Sequence, residues 1–461
     1  MASDELKGRR TGTEENRRAA RFLAGRFEEF GLLELEGAPG YLQPLPFREV
    51  APPEIGLLEV GEAGFRQGED LLVVQGAPLE LHGEGVFAGY GWVDSLAGRD
   101  DFEGLDCRGK VVFVLGGSPE GRGLRDLFRA MEKKRRWASE RGARALVELY
   151  QLPMPWPFFR RYFGRKRLTL GKDSTPQDDS FTHAFVNAPD KGALKLKIKA
   201  GAPVHLKHSG TSKKTLSAAN VVGWVPGSDS LLREEFILVT AHFDHVGTTA
   251  LNGGGTPEDS IFNGARDNAI GTVALLNAAY HLAHRPARRS VVFLAVNAEE
   301  MGLLGSSYYA EHPLVPLEKT VFNLNTDGAG YTDTTLVAFV GMGRTNADSA
   351  LLSAARAQGL QPVLNPAPEQ NLYERSDNIS FSARGVPSVS ISPGFREMSK
   401  EIMRHYHQVT DEADTLDFQY VTRFCRVFAE AVRRVADQTE RPFWSPGDPF
   451  EAVGKALYHL P

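Results

Sequence analysis

Apolar and polar positions follow three different patterns along the chain. Between Gly12 and Leu32, apolar residues recur at Ala19, Phe22, Leu23, Phe27 and Leu32 among charged neighbours, a spacing that predicts an amphipathic helix. From about Phe47 to Leu206 the pattern changes to short apolar runs, such as GEGVFAGYG and GKVVFVLGG, broken by Gly, Pro and Asp. This predicts a β-rich unit with one helical segment near Asp126 to Arg141. From Asn220 onward, strand-like and helix-like stretches alternate: EEFILVTAHF, DNAIGTVALLNAAYHLA, RSVVFLAVNAEE, GSSYYAEH and KTVFNLNTDG. Strands apolar on both faces, separated by amphipathic helices, predict an α/β fold with a mostly parallel, mixed sheet flanked by helices. A strand (TLVAFV), a helix (Asn346 to Gln358), a strand (VPSVSIS) and a long helix (Phe418 to Asp437) follow. The expected organisation is one domain from residues 1–50 and 213–440, an insertion at 51–212, and a surface-wrapping tail at 441–461. There is no internal repeat.

The polar residues of interest stand at the ends of the apolar strands. His242 and Asp244 follow FILVTA, Glu299 and Glu300 follow VVFLAVNA, and Asp327 follows VFNLNT; Asp267 opens the helix between the first two strands. In open α/β sheets ligands bind beyond the carboxyl ends of the strands, so one edge receives a histidine and several carboxylates. Carboxylates gathered there repel one another, and a divalent cation resolves the conflict. Imidazole with carboxylate oxygen suits zinc, with manganese or cobalt as substitutes.

Composition narrows the function classes. A hydrophobic content of 42% fills real cores, and 53 Lys+Arg against 58 Asp+Glu give a net charge of −5, which offers nucleic acid no global attraction. Two cysteines, Cys107 and Cys425, exclude a disulfide framework and a thiolate zinc site. No apolar run is long enough for a membrane helix. Gly-x-Ser-x-Gly elbow, P-loop and dinucleotide fingerprint are all absent, so serine-hydrolase and nucleotide readings have no starting point.

The ordered motifs AHFDHVG, NGARDNAIGT, AVNAEEMGLLGS, NTDGAG and RHYHQVTDEADT resemble the zinc aminopeptidases of metallopeptidase family twenty-eight, over about Ser217 to Asp437. The resemblance implies a phosphorylase/hydrolase-like zinc exopeptidase fold with two zinc ions held by His242, Asp267, Glu300, Asp327 and His407, Asp267 bridging. It further implies Glu299 as general base toward a two-zinc-bridged water that attacks the N-terminal peptide bond. Asp244 matches a residue that orients a ligand imidazole, and Tyr406 one that donates to the oxyanion. Arg375, Ser376 and Asp377 resemble a loop lining the substrate pocket, with peptides bearing a free N-terminus as substrates. A Glu-Glu pair serving one site needs a backbone turn, with which Met-Gly-Leu-Leu-Gly is consistent.

Other histidines are set aside. His245 competes with His242, His405 with His407, and His281 and His284 lie along the helix after Asp267. The family commonly has an acidic or small residue where this chain has Arg266. The middle unit, through GYGWVDSL and DDFEGLDCRGKVVFVLGG, is similar to an inserted protease-associated domain, a match that weakens between Gln151 and Asp190. There WPFFRRYFGRKR reads as a structured excursion with a solvated basic face, or as a lid, a partner surface or a nucleic-acid patch. The opening ASDELKGRRTGT resembles the start of the family's mature domain, implying an upstream export signal and a periplasmic or secreted location; a chain complete as written would be cytoplasmic. Three alternatives stand beside the aminopeptidase: a single-zinc glutaminyl-cyclase-like enzyme, a carboxypeptidase or dipeptidase of the same clan, and a non-catalytic peptide-binding relative.

Overall fold

A computed structural model describes residues 1–95, 97–119, 124–152, 154–171, 180–252 and 255–461. The chain forms two compact units, Met1–Pro46 with Ser217–Pro461, and Phe47–Leu216.

The first unit begins with α1 (Glu14–Phe30). The Thr13 side chain caps it by accepting the Asn16 N–H, and Gly31, in the left-handed region at φ 78°, ends it. Its apolar stripe is Ala19, Ala20, Leu23, Ala24 and Phe27, whereas Phe22, one step round the helix, is exposed. Seven successive strands of its sheet are β1 (Ser212–Val225), β2 (Phe236–His242), β3 (Ser290–Val296), β4 (Thr320–Thr326), β5 (Leu336–Val340), β6 (Gln361–Leu364) and β7 (Ser388–Pro393). Their order is β1-β3-β2-β4-β7-β5-β6. The central strands β3, β2, β4 and β7 are parallel, while β1 on β3 and β5 on β7 are antiparallel.

Alternation along these strands feeds two cores. Val291, Phe293 and Ala295 of β3 pack with α1, α2 (Ile270–His284) and α5 (Phe418–Asp437) on one face. Val292, Leu294 and Val296 pack with Tyr309 and Ala310 of α3 (Leu304–Glu311) on the other. A further helix, α4 (Asp348–Ala357), is shorter than the predicted Asn346 to Gln358 and packs against α5. The segment 441–461 belongs to this unit and is not a loose tail: Trp444 is buried and donates to the Gly385 carbonyl at 2.9 Å, and the Tyr458 hydroxyl donates to the Thr320 carbonyl at 2.6 Å.

The second unit has an eight-stranded sheet in the order Ala63–Arg66, Gly56–Val60, Pro203–His208, Leu79–Phe87, Val111–Leu115, Ala145–Leu149, Thr182–Val186, Leu71–Gln75. Helices Leu124–Glu140, Trp156–Phe163 and Lys191–Lys199 accompany it. The aromatic-basic segment forms the helix Trp156–Phe163, which buries Phe159 and Phe163 against Tyr150 and Phe185, and a strand, Arg167–Leu170, paired with Phe47–Val50. Phe158, Tyr162 and the basic residues Arg160, Arg161, Arg165 and Lys166 stay exposed, so the segment is an ordered element with one buried and one solvated face; the neighbouring residues 153 and 172–179 lie outside the described ones.

No helix among the described residues is long and apolar enough to cross a membrane. Cys107 and Cys425 are free and buried.

Candidate metal centre

Because β2, β3 and β4 run parallel, their carboxyl ends deliver side chains to one edge of the sheet. His242 is the last residue of β2, Asp327 follows β4, and Glu299 and Glu300 follow β3 after a turn in which Ala298 takes φ 59°. The turn expected for the Glu-Glu pair is thus present, closed by the Gly302 N–H donating to the Glu299 carbonyl at 2.9 Å. Asp267 lies within a kinked turn, Ala265–Ala269, just ahead of α2, and does not open the helix itself. His407 follows the short helix Lys400–His405 and takes φ 54°, a conformation rare for a non-glycine residue.

Two clusters share Asp267. In the first, His242 Nε2 is 3.3 Å from Asp267 Oδ1 and 3.2 Å from Asp327 Oδ1. In the second, His407 Nε2 is 3.1 Å from Asp267 Oδ2 and 3.1 Å from Glu300 Oε2. Each oxygen of one carboxylate therefore meets a different imidazole. His245 also enters the second cluster, its Nδ1 2.7 Å from Glu300 Oε1. His242 and His245 are not alternatives, since the chain turns after β2 and brings both rings to the same edge. The turn is tight: a Cβ on Gly264, at φ 57°, would overlap the Asp267 carbonyl and the His245 ring.

Charge in the centre is interdependent. Burial pushes the Asp267 carboxyl up, but hydrogen bonds from His242 and His407 overcome it and hold the group well below the usual range. Burial likewise disfavours charge on His242, yet Asp327, Glu299 and Asp267 keep it protonated well above the ordinary histidine range. Glu299 is held strongly protonated by burial first, then by the negative charges of Asp327, Glu300 and Asp377. Protons here stand where cations would: imidazole and carboxylate oxygen converge in two groups whose donor atoms lie within 4.8 Å of one another, a set that fits two divalent ions of the zinc class.

Asp244 supports the centre from beneath. Its backbone carbonyl lies 3.3 Å from His242 Nδ1, and its carboxylate accepts the Glu299 N–H at 3.1 Å and the Thr11 hydroxyl at 3.2 Å. Burial pushes its carboxyl up to about 6. Tyr406 stacks on His407 with ring centroids 4.2 Å apart. A cleft opens over the centre, and its lining includes the polar Glu299, Arg375, Ser376 and Tyr406 and the apolar Val340, Leu372, Phe395 and Met398. Asp377, expected to line this cleft beside Arg375 and Ser376, is instead fully buried behind its wall. His405 turns away to the Thr410 carbonyl, 2.8 Å from its Nδ1, and His281 and His284 lie at the far end of α2 beside Tyr280.

Several supporting residues had no assigned role in the sequence. The buried Arg9 donates to the carbonyls of Phe243 (2.7 Å), Gly264 (2.8 Å) and Asp267 (3.4 Å), and to that of Asn263, pinning both ligand-bearing loops. Asp411 accepts the backbone N–H groups of Arg266 (3.0 Å) and Asp267 (3.2 Å) and pairs with the Arg266 guanidinium at 3.2 Å. Arg266 is therefore turned away from the ligands and anchors the turn that carries one of them. Asn297 accepts from Thr11 at 2.8 Å and from Asn16 at 3.1 Å.

Residues 220–432 match Peptidase family M28, and the chain carries a domain of that family. A vacuolar membrane protease of Saccharomyces cerevisiae is 43% identical over 98 residues, which cover 21% of this chain and 9% of that protein. Aminopeptidase YwaD of Bacillus subtilis is 23% identical over 227 residues, covering 49% of this chain and 46% of the relative. The matches thus span less than half the length of these relatives. Among solved structures, an aminopeptidase from Aneurinibacillus sp. strain AM-1 superposes with a TM-score of 0.59 at 20% identity, covering 96% of this chain and 94% of that one, a likeness of fold.

Proposed function

We propose that the chain is a zinc-dependent aminopeptidase that hydrolyses the first peptide bond of substrates with a free N-terminus. The observation that carries this reading is Asp267, whose two oxygens each face a different histidine and so join two ligand clusters. His242 and Asp327 would hold one ion, Glu300 and His407 the other, with Asp267 between them. When bound, such ions supply Lewis acidity to the scissile carbonyl and lower the pKa of a water near it.

The chain's own groups do the remaining work. Glu299, on the cleft wall, takes a proton onto its carboxylate and returns it to the leaving amine. The Tyr406 hydroxyl, beside His407, donates to the oxygen that gains negative charge. The apolar lining of Val340, Leu372, Phe395 and Met398 suits an aliphatic or aromatic first side chain. The middle unit is read as a protease-associated insertion.

Arg375 favours a second reading. A guanidinium only donates, so on the cleft wall it would repel an ammonium and bind a carboxylate, as a carboxypeptidase or dipeptidase requires. The test is hydrolysis of aminoacyl-anilides with free and N-acetylated termini beside dipeptides with free and amidated carboxyl ends, with chelated and zinc-restored protein. Cleavage of free-amine anilides, lost on acetylation and on chelation, is expected. Turnover confined to peptides with a free carboxylate would replace the aminopeptidase reading by the second one.

A further inference from the structure

The inserted unit carries another group of metal-ligating side chains, wholly its own. Three antiparallel neighbours, Gly56–Val60, Pro203–His208 and Leu79–Phe87, put Glu59, His205 and His82 in one row, each directly opposite the next. Alternation sends the row to the solvent face, with Glu80 on the same face two residues before His82, while Leu58, Val204 and Leu206 fill the core beneath.

The side chains of the row lie within reach of one shared position. The two imidazoles stack with centroids 3.9 Å apart and planes 10° from parallel, and the exposed His82 would turn out of the stack to share a cation with His205. His205 Nδ1 lies 2.9 Å from the Glu59 carboxylate, which would hold a proton on Nδ1 while Nε2 takes a cation. That Nε2 is buried and has no hydrogen-bond partner. It faces Glu80 Oε1 at 3.6 Å, and His82 Nε2 approaches the same oxygen at 4.0 Å. The other oxygen of Glu80 is taken by Lys207 at 2.9 Å, so the carboxylate is held with Oε1 toward both histidines. One donor atom from each of Glu80, His82 and His205 falls within 4.8 Å of the others.

We propose that Glu80, His82 and His205 bind one divalent cation of the zinc, nickel or copper class, with Glu59 orienting the His205 ring. Two neutral imidazoles and a carboxylate suit borderline cations and not magnesium or calcium. A carboxylate on the second nitrogen of a ligand histidine is the usual outer support of such sites and raises the ring's basicity. Three protein ligands on an open sheet face leave the remaining position to water or a further ligand. The cation would clip the strand Leu79–Phe87 to Pro203–His208 across their register.

The test is equilibrium dialysis of the whole chain against micromolar free zinc, with elemental analysis, comparing wild type with His82→Ala, His205→Ala and Glu59→Gln. Wild type should hold one zinc per chain more than either histidine variant, and Glu59→Gln should need on the order of 10–100-fold more free zinc to fill the site. Aminoacyl-anilide turnover should not change, because these side chains lie outside the cleft. Equal melting curves for all four proteins in chelator would show that the variants fold. Equal zinc content in wild type and both histidine variants would overturn the proposal. The difference between chains is read whether the cleft holds two ions, one or none, so this result is independent of the proposed function.

Discussion

The proposed chemistry turns on Glu299. Burial and the surrounding carboxylates push its carboxyl up, so in the proposed reaction its basicity would depend on cations held beside it by Asp327 and Glu300. Glu299→Gln keeps the shape and removes the base. It should retain metal and lose about 10²–10⁴-fold in kcat; zinc content and turnover measured on one preparation check this, and wild-type turnover would sink the role. Of the five proposed ligands, His242, Glu300 and Asp327 follow apolar runs and Asp267 precedes a helix, whereas His407 was carried by its motif alone. Arg9, Thr11 and Asp411 were not legible. Arg9 reaches Gly264 across 255 residues and Asp411 reaches Arg266 across 145, contacts without any local periodicity. His245 was visible but weighed as a rival to His242, because one dimension does not show that a turn after a strand returns two nearby side chains to one place.

At the scale of elements, continuous apolar runs placed the central strands and a period-3.6 pattern placed α5 closely, since both strand faces are buried and the α5 stripe is continuous. Short elements were less legible: the helix Glu451–Leu457, within what read as a tail, is held by Trp444 and Tyr458 packing on distant backbone. The strand Pro203–His208 supports a pH prediction. His208 Nδ1 accepts the Gly210 N–H at 3.1 Å and its Nε2 lies 2.9 Å from the Thr182 hydroxyl, so the buried ring is bound as a neutral tautomer. Burial lowers its pKa to about 4, against about 6.5 in an unfolded chain. Below pH 6.5 the unfolded state takes up a proton that the folded state refuses. The ring's contribution to stability is therefore full above about 6.5 and declines as pH falls toward 4. Urea unfolding followed between pH 4 and 7 should show wild type losing stability more steeply than His208→Gln, and parallel pH profiles would refute the linkage.

At the scale of the whole molecule, the metal centre joins elements far apart in sequence: β2, the turn before α2, the end of β3, the end of β4 and the loop after Lys400–His405. Without cations, the closeness of Asp267, Glu300 and Asp327 leans on protonated histidines and on the buried Arg9 guanidinium, and the histidines' share is lost as the rings deprotonate. Ions that bind the folded arrangement and not the unfolded chain stabilise it by mass action, by ~2.7 kcal/mol at a hundred times the dissociation constant. For a unit of this size that corresponds to a melting shift of about 4 °C. Calorimetry should show this upward shift when zinc is restored to chelated protein, at pH 7 to 8 where competing protons are few. Glu299→Gln should keep the shift, as it removes no ligand, whereas Asp267→Asn should lose most of it, because one substitution weakens both clusters together. The His82→Ala variant should keep the part of the shift that Asp267→Asn loses, which separates the cleft from the sheet-face site. A shift that survived Asp267→Asn but vanished in His82→Ala would place the stabilising ion on the inserted unit, and the carboxylate that joins the two clusters would then not be the keystone of the fold's metal dependence.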